Sequence, residues 1–258
     1  MATRWIKFPH ADAAYAYAGP ALKKQWDRLH RGDREPFPAN ADAQAAWRHF
    51  HAGEFQQAVE AGTTAGDAAL NAAIKAQTIY ATYLEKNEKK RLALFEEAAQ
   101  WALTRQDAAP KDANAFYLYA FALGRYGQGI SVAKALAQGF GGKIKTALNT
   151  ALKLQPSHAD AHIAFGAYQA EVIAKVGALV AGMTYGAKKD SALEHYRSAL
   201  KLNPESAIAH IEYANGLILL MGNSQIGEAT KLYEKASKCK PVDAMERLDV
   251  ELARSELE

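Results

Sequence analysis

Two stretches, ALKLQPSHADAH from Ala151 to His162 and ALKLNPESAIAH from Ala199 to His210, agree at eight of twelve positions, with their starts forty-eight residues apart. One phrase written twice marks a repeat array, in which each unit rebuilds the same joint. Each copy reads as the end of one helix, a proline corner and the start of the next helix. Proline forces the corner because it lacks an N–H and clashes with the preceding turn.

Working outward, Pro110, Pro156, Pro204 and Pro241 are 46, 48 and 37 residues apart. Before the last three, the triplets Ile144/Leu148/Ala151, Ala192/Tyr196/Ala199 and Ala229/Tyr233/Ala236 each step by four, then three, then five to the proline. After the first three come Phe116/Tyr119/Ala120, His162/Phe165/Gly166 and His210/Tyr213/Ala214. Steps of three and four trace one helical face. The unit is therefore helix, turn, helix and corner. Alanine, 55 of 258 residues, is the best helix former, and no segment alternates like a strand. The fold class is all-α.

The residues Gly222, Ala229, Tyr233, Ala236 and Pro241, and again Ala192, Tyr196, Ala199 and Pro204, resemble the tetratricopeptide (TPR) repeat. Weaker copies run through Gly53, Phe55, Ala58 and Ala65, and through Ala98, Ala102 and Pro110. The resemblance implies a right-handed α-solenoid of about five helix pairs over residues 41–241, within a single domain. Residues 1–40 form an N-terminal extension with a helix near Ala21–His30 and a breaker-rich connector, Arg31–Pro38. Residues 242–258, with Met245, Leu248 and Leu252 on one face, form a capping helix. Against a period of about 34, the first two intervals carry extra apolar sequence. Packed insert helices are expected near Gly129 and Val172, and the stretch from Val172 reads as a buried helix. The long fourth unit and the ending also resemble bacterial TPR-like proteins related to the T component of some TRAP transporters, and the regulator-of-microtubule-dynamics proteins. T components are typically exported lipoproteins; no apolar signal region or lipid-accepting cysteine is read here, so the expected location is cytoplasmic.

Basic and acidic residues number 31 and 28, a net charge of +3. That balance implies no general pull toward nucleic acid or anionic lipid, and the basic excess of the first 36 residues reads as solvated surface. No run of roughly twenty apolar residues spans a membrane. Cys239 is the single cysteine, so no internal disulfide forms; its lysine neighbours could lower its pKa. QGFGGKIKT from Gln138 lacks the Ser or Thr of a phosphate loop and reads as a turn. His49 and His51 are wrongly spaced for zinc. His162 and His210 hold equivalent places and are expected near each other, with His195 on the same fourth unit, as packing histidines. No nucleophile motif, metal site or cofactor is read, so no enzyme is expected.

Repeat solenoids bind on a concave face, which in TPR domains the first helix of each pair lines. The stripe expected there is Asn114, Tyr117, Leu118, Phe121 and Arg125, then Asp160, Ile163, Ala167 and Glu171, then Ile208, Ile211, Glu212 and Asn215. Chaperone-type TPRs hold a peptide carboxylate with Lys and Asn; only Asn215 fits that pattern. Tyr, Phe and Ile instead suit an apolar or amphipathic peptide segment of a protein partner, or a second copy of the chain. The alternative is a carrier, in which the inserts enclose a hydrophobic small molecule in a pocket lined by Val172, Val176, Leu179 and Val180.

Overall fold

A computed structural model describes residues 5–258, and the first four residues of the expected extension lie outside that range. The chain is all-α, with no strand among the described residues. Helix α1 (Ala21–Leu29) precedes five antiparallel pairs. These are α2/α3 (Ala41–His51, Phe55–Ala65), α4/α5 (Leu70–Tyr83, Glu88–Ala108), α6/α8 (Ala113–Ile130, Phe140–Leu154), α9/α11 (Ala159–Val176, Lys189–Leu202) and α12/α13 (Ala207–Met221, Ile226–Ser237). The inserts are α7 (Val132–Ala137) and α10 (Ala178–Val180), the latter running into a π turn, Ala181–Tyr185. Helix α14 (Ala244–Ser255) ends the chain.

The corners explain the repeated phrase. Two residues after each proline stands a helix N-cap: Asp112, His158, Ser206 and Asp243 all accept a hydrogen bond from a backbone N–H of the first turn. Such a cap satisfies a donor that the helix leaves orphaned. Six residues after Pro156 and Pro204, the Nε2 atoms of His162 and His210 each lie 3.2 Å from that proline's carbonyl oxygen. Small residues let the pairs close up. The buried Tyr196 ring lies between α9 and α12, where a methyl on Gly216 would come within 2.4 Å of it and one on Gly166 within 2.9 Å.

Three expectations need correction. Residues 177–186 are not a buried helix: Gly177 (φ +81°) ends α9, and Leu179, Val180 and Met183 are 75%, 48% and 81% exposed. The segment between Gly177 and Gly186 touches the central core through Ala181, with Tyr185 packed against it, and its larger aliphatic side chains point outward. The N-terminal charges are not simply solvated. Arg28 makes a bidentate pair with Glu246 at 2.6 and 3.0 Å, and Asp33 is buried. Helix α14 does more than cap α13, for it also packs against α12 and α2. His51 Nδ1 and Asp243 Oδ2 lie 2.8 Å apart, and Tyr17 donates to the Val242 carbonyl. The two ends of the array thus meet.

Candidate functional site

The first helices of successive pairs present one inner face, and most of the expected stripe lies on it. Tyr117, Phe121, Arg125, Asp160, Ile163, Ala167, Glu171, Ile208 and Glu212 line a single cavity of about 140 Å³. Stepping by four along α6, the Tyr117 and Phe121 rings stack at 5.9 Å and the Arg125 guanidinium lies 5.6 Å from the Phe121 centroid. Beyond Arg125 an adjoining shelf of about 370 Å³ includes Asn215 and Leu219.

The other four residues have different roles. Leu118 and Ile211 are core: Leu118 belongs to the central cluster, and Ile211 packs with Val250 and Ala253 beneath α14. Asn114 is buried, donating to Glu35 at 2.6 Å and accepting from His158 at 2.9 Å. Asn215 accepts from the Tyr233 hydroxyl at 2.7 Å. Val172 lines the cavity, but Val176, Leu179 and Val180 do not. The wall comes instead from α7 and the start of α8, through Val132, Leu136, Phe140 and Ile144. Sequence reasoning also missed Lys75, Ile79 and Tyr83 of α4, and Met245 and Asp249 of α14. The four-residue steps of Lys75, Ile79 and Tyr83 were a usable signal, since a lysine on so apolar a helix needs a buried partner.

That partner comes from the connector. Gly32 and Asp33 cross the starts of α4 and α9, where Lys75 Nζ donates to Asp33 at 2.5 Å and lies 3.9 Å from Asp160. The Asp160 backbone N–H donates to the Gly32 carbonyl at 3.1 Å. Burial disfavours the charge of Asp33, but Lys75 and His30 outweigh it and hold its carboxyl well below the usual range. Burial also works against the Lys75 charge, which Asp33 and Asp160 more than restore. Asp160 is pushed up by burial to about 6 despite Lys75. Burial, with the Asp33 and Asp112 charges behind it, raises Glu35 to about 8. His158 accepts the Ala161 N–H on Nδ1, so its proton sits on Nε2, facing Asn114; burial keeps it neutral, with its pKa down at about 3. The cavity therefore has a charged floor at Lys75, an apolar middle, and a second polar end where Arg125 pairs with Glu212 at 3.2 Å and Gln128 donates to Glu171.

The remaining candidates resolve as structural. His162 meets His195, Nδ1 to Nδ1 at 2.8 Å, rather than His210. Burial lowers His195 to about 4. The Cys239 thiol is pushed up, not down, because burial and the Glu246 and Glu205 charges outweigh the basic neighbourhood. Among the described residues no cluster of His, Cys, Asp and Glu is arranged to hold a metal ion, and no helix is long and apolar enough to cross a membrane.

A sequence model of one protein family, RMD1-3, the regulator of microtubule dynamics protein 1-3, matches residues 54–257. No curated protein matches the chain. Among solved structures, the chain is similar to the crystal structure of a thermophilic TPR protein of Thermus thermophilus, with a TM-score of 0.56 and 17% identity, covering 83% of this chain and 97% of that one. At that identity the likeness carries the TPR-like fold alone.

Proposed function

We propose, from the premise that this chain belongs to the regulator of microtubule dynamics protein 1-3 family, that it is a non-enzymatic binding protein whose concave cavity takes an apolar small molecule with a polar end. The observation that carries this reading is the shape of the cavity. The connector and α14 occupy inner surface that an open TPR groove would leave free, and α7 walls one side. A docked helix is about 10 Å across. A cavity of about 140 Å³ is instead close in size to engineered apolar cavities that take benzene. Its apolar middle suits a ring or short chain, and Arg125 stands at the end toward the shelf to meet an acceptor group.

Mass spectrometry after gentle purification tests this, together with uptake of a small fluorescent apolar dye no larger than indole. Bound apolar molecules, and dye uptake lost in Gly124→Leu with helicity intact, are expected. A clean spectrum with no dye uptake by the wild type would overturn the reading. A second reading, docking of an amphipathic peptide from a protein partner, is supported by the open shelf with Leu219 exposed on it. It predicts partner capture that Leu219→Glu, on the shelf, abolishes while helicity is kept.

A further inference from the structure

The near-neutral total charge conceals a local asymmetry. Between Gly129 and Lys189 there are seven lysines and two acids, Asp160 and Glu171. Both acids line the cavity, so the outward charges of this stretch are lysines, with the exposed Asp190 as the next residue along the chain. Lys134, Lys143, Lys175, Lys188 and Lys189 are exposed, and Lys145 half-exposed. None of these six forms an ion pair among the described residues, where the lysine pairs belong to Lys75 and Lys231.

In the midst of these lysines stands the second insert, with Leu179, Val180 and Met183 turned to solvent. The inserts and the start of α8 adjoin. A methyl on Gly141 would come within 2.8 Å of Leu136 and 2.9 Å of Tyr185, and one on Gly186 would sit 2.6 Å from Lys145 Nζ. Large apolar side chains exposed together on a short turn are unusual on a surface with no partner. An apolar tip within a basic field matches an anionic bilayer, which offers hydrocarbon beneath a negatively charged headgroup layer.

We propose that the α10–π turn is a membrane-surface wedge: Leu179, Val180 and Met183 enter the interface of an anionic bilayer while the surrounding lysines meet its headgroups. With no helix here able to span a bilayer, the contact is peripheral. The wedge adjoins the α7 wall of the cavity, so docking would bring that wall close to a source of apolar molecules. The proposal does not depend on what the cavity holds.

Flotation of the full chain tests it, using vesicles of phosphatidylcholine alone and vesicles with about a third phosphatidylserine. Near an anionic surface each lysine contributes roughly a fivefold factor in partitioning. The wild type should therefore bind the anionic vesicles at least about tenfold more tightly, with the preference eroded by salt. The double substitution Leu179→Ser/Met183→Ser, at exposed positions, should weaken binding about tenfold or more. Lys175→Glu/Lys189→Glu should remove the anionic preference while leaving dye uptake by the cavity unchanged. No flotation of the wild type, or equal flotation of the tip variant, overturns the proposal. So does a concentration-dependent mass in light scattering that the tip variant abolishes without vesicle binding, which would assign the tip to a second copy of the chain.

Discussion

At Glu35 a single carboxyl group reports on the state of the connector. Its carboxylate takes hydrogen bonds from Asn71 and Asn114, yet burial and two neighbouring acids hold its pKa near 8, against an ordinary 4.5. Between those values the folded chain keeps a proton that the unfolded chain has released. Its contribution to stability is therefore greatest at low pH and falls as pH rises from about 4.5 toward 8. Glu35→Gln removes that penalty. Its melting temperature relative to the wild type should climb by a few degrees between about pH 5 and pH 8, whereas a flat difference would mean that Glu35 ionises freely. Nothing in RGDREPFP announced this burial. Breaker residues signal a turn, and only the distant Lys75 and Asn114 decide that the turn is an internal one.

Among the helices, glycine separates packing from propensity. Gly216→Ala pushes a methyl into the fully buried Tyr196 ring, an overpacking expected to cost roughly 1–3 kcal/mol. Gly124, mid-way along α6, has nothing within 4 Å of its added methyl, so Gly124→Ala should gain up to about 1 kcal/mol. Urea unfolding of the two variants should move in opposite directions. At this scale the sequence was most legible. The proline spacing located the last three pairs, because each corner must be rebuilt from the same local chemistry, while the first two rested on three- and four-residue steps alone. The cap two residues beyond each proline was equally local, but His158 hides it among the more usual Asp and Ser. Half of the insert reading failed for a complementary reason. Apolar composition says that a segment prefers burial, not which of its side chains face the core: here Ala181 does, and the larger Leu179, Val180 and Met183 do not.

For the whole molecule, α14 and the connector make the difference between an open solenoid and what the chain builds. Periodicity placed nine of the thirteen stripe residues on the cavity. It could not show that Met245 and Asp249 return from the far end to complete it, since contacts between residues this remote leave no mark on local spacing. Asp243 is the strongest point of that return, capping α14 and meeting His51 with both side chains buried. Asp243→Ala loses a cap and leaves the imidazole unpaired, at a combined cost of roughly 2–4 kcal/mol. A change under about 0.5 kcal/mol in urea unfolding would show that the ends are not held there. An ordinary repeat array melts from its tips inward, because each unit touches only its neighbours. Here tip is joined to tip, and every unit has a neighbour on both sides. A protease that nicks the exposed turn between Gly177 and Gly186 would therefore leave two fragments held together twice, across α9 and α11 at the cut and again at α2 and α14.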